Sequence, residues 1–443
     1  MEVLTAILNL GPSVIMPIIL TVMGLFFRLT LYDSSRSGLM IGIGFIGVTV
    51  ITNMLSENIN TVVSGIADRF QLDLNIIDLG WPAAANIAFH SLTGMLMLPI
   101  CLIVNIIMIY AKLTRTINID LWNYWHFAFT SVFVSYVTQS AVLGILAGIL
   151  DFMLTMIMAD LTAPSVKKYY QLPNISFPNA YSLMFVPIAV FLNQMITIMT
   201  RPFKHKRRRI SLSFSIDPIF VGLLLGLALG LLANFTMYEI AKLSIVFASM
   251  MLLIPKVSSI LVDGIRPISN KLEEKILQQK DKNLFIGMTP SLVINDKNLL
   301  ISSGLLIPII ILLSLFTENN QFLPIASLSG LIYLVPLIIS ITNGSIIRTV
   351  VIGSIILAIS NYLISKAAAV FTALAKSTNI AIPSGSLVSS LDYGSSPLVY
   401  FLTEANLSSY FFLFLSIYII GFIMLFFPEQ KTKWSKEKKR KVS

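Results

Sequence analysis

The stretch IIDLGWPAAANIAFHS (76–91) sets a carboxylate, a glycine, a tryptophan and a proline directly ahead of a long apolar run. Glycine frees the backbone and proline removes a donor, so a regular helix breaks there. Backbone freed inside a bilayer cannot face lipid; it must be buried in protein or line a wet cavity. Three other polar segments have the same character: ISFPNAYS (175–182), FIGMTPSLVIND (285–296) and SGSLVSSLDYGSSP (384–397). Any one of them is equally readable as a surface loop. Together they point to broken helices around a transport site.

The rest of the chain makes that bilayer reading necessary. Of its 443 residues 56% are hydrophobic and 12% charged, with a mean hydropathy of +0.84, outside the range of a soluble globular domain. Apolar segments lie near 12–28, 38–55, 91–111, 124–138, 140–159, 183–200, 218–236, 240–255, 299–316, 322–342, 346–364 and 408–427. The fold class expected is an all-α polytopic membrane protein with ten to twelve spans, eleven the favoured number.

The net charge of +10 is concentrated beside apolar spans. Six of 31 Lys and Arg lie in RPFKHKRRR (201–209) and seven in KTKWSKEKKRK (431–441), which fits cytoplasmic segments touching anionic lipid better than nucleic-acid binding. A docking surface for a soluble partner is the other reading. With Lys256, Arg266, Lys271 and Lys275 also inside, the N-terminus should be outside and the tail cytoplasmic. No cleavable signal peptide is evident. Cys101 stands alone in an apolar run, where it packs.

An internal repeat divides the chain. Pro82 and Pro99 are seventeen residues apart, Pro290 and Pro308 eighteen, and GLMIGIGFIGVTVI pairs loosely with VGLLLGLALGLLAN. The span after the break runs in opposite directions in the two copies, the pattern of inverted repeats with substrate at their interface. Chance recurrence of Pro and Gly in oily sequence is the competing explanation. The expected division is 1–200 as the first membrane half and 201–217 as a basic connector. The second half is 218–427, with a cytoplasmic segment at about 256–298, and 428–443 is a basic tail.

DLWNYWHFAFT (120–130) is the densest cluster of side-chain chemistry. On a helix Trp122, His126 and Thr130 share a face, with Asn123 adjoining. Aromatic planes beside amide, imidazole and hydroxyl groups suit a polyol; for Trp125 an interfacial aromatic belt explains the residue as well. Asp392 is an ionisable group near membrane depth, a ligand or a turn cap. Asp151 either relays protons or pairs within the bundle. Trp81, Asn86, Gln139, Asn179, Thr289 and Ser396 complete the candidate binding set. Gly80, Pro82, Pro290, Gly394 and Pro397 shape the breaks, and Asp78 caps or braces its own. No Walker loop, zinc-type spacing or dinucleotide fingerprint occurs, so no catalytic residue, metal or cofactor is expected.

The segments IGIGFIG, LNIIDLGWPAAA, DLWNYWHFAFT, DPIFVGLLLGLALGLLA, LVDGIRPIS, FIGMTPSL, IIRTV and SLDYGSSP occur in that order over nearly the whole chain. They resemble the galactitol-type enzyme IIC of the bacterial sugar phosphotransferase system. The resemblance implies an inner-membrane permease for a sugar or polyol, served by separate IIB and IIA subunits. It also implies a homodimer in which a substrate-carrying core moves against a scaffold, as in the ascorbate branch. Asp78, Gly80, Trp81 and Pro82 match its D-x-G-W-P. Trp122, Asn123, His126 and Thr130 match its W-N-x-W-H segment, and Asp392, Gly394, Ser396 and Pro397 its D-x-G-x-S-P. Three departures stand out: Asn179 where galactitol members carry His, Thr289 where they carry Asp, and NINTVV (58–63) in place of GPAA. Changing buried hydrogen-bonding groups alters which hydroxyls are held, so the substrate is galactitol or a relative. The rival reading is a proton- or sodium-coupled secondary transporter using Asp151 or Asp392.

Overall fold

The computed structural model describes residues 12–200, 218–278, 284–294, 296–378, 380–404 and 408–426. The basic connector 201–217 and the tail 428–443 lie outside the described residues. Two bodies make up the rest.

The first body is four helices. α1 (Pro12–Phe26) and α2 (Leu31–Phe70) come from the first half of the chain. α8 (Pro218–Leu232) and α9 (Met237–Gln278) come from the second half. Lipid gives no hydrophobic drive for helices to associate, so close contact needs small residues. The glycines of IGIGFIG supply it: a Cβ on Gly44 would lie 2.5 Å from Leu261 Cγ, and one on Gly47 2.8 Å from Val257 Cγ1. The same holds inside the second pair, where a Cβ on Gly222 would lie 2.5 Å from the Phe247 carbonyl. Residues 256–278, within the segment expected to be cytoplasmic, continue α9 without interruption, with Lys271 and Glu274 paired at 2.6 Å along it.

The second body repeats one order of elements twice. In the first half β1 (Ile76–Asp78) leads to α3 (Gly80–Phe89) and α4 (Leu92–Tyr110). β2 (Thr116–Asn118) follows, then a 3-10 turn (Leu121–Tyr124) running into α5 (Trp125–Thr138), and α6 (Ala141–Tyr170). β3 (Ile175–Ser176) and α7 (Ala180–Met199) close the half. In the second half β4 (Phe285–Gly287) and a 3-10 turn (Pro290–Val293) lead to α10 (Lys297–Phe316). A bridge at Phe322 stands where β2 stood, followed by a 3-10 turn (Ala326–Gly330), α11 (Leu331–Ile341) and α12 (Ile346–Ala375). β5 (Leu387–Ser389), a 3-10 turn (Tyr393–Ser395), α13 (Pro397–Thr403) and α14 (Ser409–Phe426) complete it. The matching helices α6 and α12 both have 30 residues.

Strand pairing exchanges the halves. β1 pairs parallel with β5 and bridges Phe322, so the first strand of one half lies between two segments of the other. β4 lies in the same way between β2 and β3, all parallel. α4 therefore leads from the first sheet to the second, and its counterpart α10 leads back. Equivalent elements end at opposite sheets.

Seven helices are long and apolar enough to cross a membrane, and four shorter apolar helices accompany them among the described residues. The apolar segment at 322–342 is not one span: only Leu331–Ile341 is α-helical, after a strand bridge and a 3-10 turn. Ile103, Ile107 and Tyr110 on α4 face outward, while Met95, Leu98 and Cys101 on the same helix are fully buried.

Candidate functional site

The strands are short because each ends where the chain must turn inward. Asp78 closes β1, and its carboxylate accepts the amides of Gly80 (3.0 Å), Ile325 (2.8 Å) and Ser327 (2.8 Å) and the hydroxyl of Ser327 (2.6 Å). Ser327 Oγ in turn accepts the Leu391 amide at 3.0 Å. Gly80 has φ of +73°, a left-handed turn that disfavours any side chain, and a Cβ there would meet Ala326 at 3.2 Å. One buried acid thus ties together three broken segments far apart in the chain. Asp78 braces the break.

The other breaks are capped in the same manner. Asn179 Oδ1 accepts the Ser182 amide at 3.1 Å at the start of α7. Thr289 Oγ1 accepts from Ser291 N at 3.4 Å, with Pro290 at the first position of that turn. Asp392 Oδ1 accepts the Tyr393 amide (2.6 Å) and the Ser390 hydroxyl (2.5 Å). Ser396 accepts the Val399 amide at 3.4 Å, with Pro397 opening α13. An amide at each break is thus taken by the chain's own side chain.

The turns after the strands enclose a cavity of about 240 Å³. Of the residues expected in a site, Trp81, Trp122, Asn123, His126, Asn179, Thr289 and Asp392 line it. They come from both sheets and both halves. Trp81 meets Trp122 edge-on at 6.2 Å and Tyr333 at 6.5 Å, which gives one aromatic wall. Trp125 and His126 form another, their ring centroids 4.0 Å apart, and His126 lies 4.8 Å from the Tyr393 ring. His126 Nδ1 lies 2.8 Å from the Asn123 carbonyl, which only accepts; Nδ1 therefore carries hydrogen, and Nε2 is an acceptor in the neutral ring.

Four expected residues do not line the cavity. Asn86 donates to Thr49 Oγ1 at 3.1 Å and ties α3 to α2. Thr130 donates to Asp151 Oδ2 at 2.5 Å. It shares a face of α5 with His126 but stands one turn further along, buried against α6 rather than at the cavity. Gln139 is an exposed left-handed C-cap with φ of 52°, its side chain on the Tyr136 carbonyl. Ser396 is occupied as a cap. Gly394 sits in the 3-10 turn, where a Cβ would lie 2.7 Å from Ser389 Oγ.

The cavity also has residues that the motifs did not single out. Asp120, whose carboxylate accepts from Asn123 Nδ2, is the first residue of the DLWNYWH cluster, and Tyr181 and Ser291 stand near predicted residues. Ser259 of α9, Gly330 and Tyr333 come from runs with no local signal, and Val262 of α9 from the LVDGIRPIS segment, where nothing singled it out. Asp151 is fully buried behind the wall and accepts from Thr130, Tyr393 and Thr155, pairing within the bundle. Among the described residues no group of three His, Cys, Asp or Glu is placed to hold a metal. Aromatic planes with hydroxyl, amide and carboxylate groups equip the cavity to hold a small polyhydroxy compound.

The family model described as PTS system sugar-specific permease component matches residues 6–385. The chain is 28% identical to the PTS system galactitol-specific EIIC component of Escherichia coli (strain K12), over 96% of this chain and 95% of the relative. The corresponding protein of Escherichia coli O157:H7 gives the same figures. A putative permease IIC component of Escherichia coli (strain K12) is 30% identical over 83% of this chain and 86% of its own length.

Proposed function

The chain belongs to the EIIC-GAT family of phosphotransferase-system permease components, and from that premise we propose that it carries galactitol or a related polyol or sugar across the bacterial inner membrane for phosphorylation by a separate IIB. The observation that carries this reading is the cavity, in which Trp81, Trp122 and His126 from the first half meet Thr289 and Asp392 from the second. Substrate at the interface of inverted repeats is the arrangement that lets either side of the membrane open in turn. IIA and IIB supply the phosphate; this chain orients the accepting hydroxyl.

The four-helix body of α1, α2, α8 and α9 acts as the scaffold of a homodimer, and the cavity-bearing body is the part that moves. The contribution of Ser259 and Val262 from α9 to the cavity supports this, because the site then straddles the border between the two bodies. Eleven spans, an outer N-terminus and a cytoplasmic, lipid-contacting tail belong to the same proposal. Asn179 and Thr289 both line the cavity, which favours a relative of galactitol over galactitol itself.

Uptake of labelled polyols in a bacterial strain lacking enzyme I tests the proposal. Phosphotransferase coupling requires accumulation to vanish there. Accumulation that persists and collapses with an uncoupler would instead establish the ion-coupled alternative, with Asp392 or Asp151 as the coupling group.

A further inference from the structure

The cavity holds an unbalanced set of charged groups. Asp120 enters from the turn after β2 and Asp392 from the turn after β5, so each sheet contributes one carboxylate. An ionised carboxylate only accepts, and His126 Nε2 is a third acceptor while the ring is neutral. Asp392 is 4% exposed and its Oδ2 has no hydrogen-bond partner. No Lys or Arg lines the cavity among the described residues.

Part of the usual remedy for an anion is also taken up. Helix N-termini bind phosphates and carboxylates through free amides. Here Ser182 N, Ser291 N, Tyr393 N and Val399 N are each held by a side chain of the same segment. The donors of the cavity are neutral indole, amide and hydroxyl groups, those of Trp81, Trp122, Asn179, Tyr181 and Tyr333 among them; what it lacks is a cation.

We propose that the cavity sorts ligands by charge. It accepts neutral or cationic polyhydroxy compounds and rejects anionic ones, the phosphorylated form of its own substrate included, with Asp120 and Asp392 as the specificity-determining residues. This rests on the polyol-permease reading and adds a direction to it. A neutral polyol offers a row of hydroxyl donors to the acceptors on both sides. Once it carries a phosphate, the same acceptors repel it, so the modified product does not compete for the site that delivered it. Two like charges about 8 Å apart at an effective dielectric constant of about 20 repel by about 2 kcal/mol, or about thirty-fold in affinity.

Tryptophan fluorescence reads this directly, because Trp81, Trp122 and Trp125 all line the cavity. Purified protein is titrated at about pH 8.5, where the carboxylates are ionised, with galactitol, other hexitols and hexoses. Each is compared with its aldonate, its phosphate ester and its amino-deoxy analogue. The expected result is that aldonates and phosphates bind at least about thirty-fold more weakly than the neutral parent, while amino-deoxy compounds bind as well or better. In Asp120→Asn/Asp392→Asn that ratio should shrink to within a few-fold, whatever the loss in absolute affinity. Asp120→Asn alone, in a half-buried turn, should shrink it partway and serves if the double variant does not fold. An aldonate or phosphate that binds wild-type protein as tightly as its neutral parent overturns the inference. So does a ratio unchanged in the folded variants. Silence across the whole panel, neutral and charged, would overturn the polyol reading itself.

Discussion

β1 and β5 lie side by side in one sheet, and each leads into a buried aspartate with a different fate. Asp78, paired in register with Ser389, takes three amides and a hydroxyl. Asp392, three residues beyond Ser389, has one oxygen filled by Ser390 and Tyr393 and the other without a partner. Both are almost wholly shielded from solvent. A buried carboxylate is tolerable when its lone pairs are answered. The saturated acid is therefore a brace for three segments, while for the unsaturated one, beside the cavity, the role proposed above is binding. The two acids differ in how many donors each has already found.

Substitutions can break that contrast, and the greatest effect should come from the brace. Asp78→Ala orphans the amides of Gly80, Ile325 and Ser327, at about 1–3 kcal/mol for each buried group. A loss on the order of 5 kcal/mol should appear as a large drop in the thermal unfolding midpoint in detergent and in the yield of folded protein. A variant that unfolds like wild type would show that these contacts do not hold the break. Asp392→Asn should do the reverse. Its unfolding midpoint should stay near wild type, while polyol affinity falls about ten- to a hundred-fold, as for a lost hydrogen bond to a charged group.

The contrast sharpens at Tyr393, whose amide serves Asp392 and whose hydroxyl serves Asp151. Tyr393→Phe keeps the ring against His126 and removes only the hydroxyl, so affinity should fall about three- to ten-fold. Adding Asp151→Asn should cost little more, since the two changes remove one interaction; additive losses in a double-mutant cycle would refute the coupling. The smallest effect belongs to Gln139→Ala, at an exposed cap outside the cavity. Binding should be unchanged and stability altered by no more than about 0.5 kcal/mol.

Much of the site was readable one segment at a time. Gly80 marks a left-handed turn, and Pro82, Pro290 and Pro397 each stand in the first turn of the helical element that follows a break. The aromatic and amide residues beside those turns, Trp81, Trp122, Asn123 and Asn179, do line the cavity. Thr130 lies on the same helical face as His126, but helical spacing does not say how far along that face the cavity extends, and Thr130 meets Asp151 instead. Gln139 and Ser396 are polar residues at helix ends whose side chains the local backbone uses up. Ser259 and Tyr333 left no trace, because neither stands beside a break.

Composition and the placing of Gly and Pro determined on their own that the chain is a membrane protein with interrupted segments, since hydropathy and backbone geometry are properties of neighbouring residues. The repeat was visible too, as a spacing of prolines. Which strand pairs with which, and so which half supplies which wall, was decided only in three dimensions. The contacts that matter join Asp78 to Ser327 and Asp151 to Tyr393, 249 and 242 residues apart. Whether a given aspartate is brace or binding group depends on donors brought from that distance, and no local pattern records them.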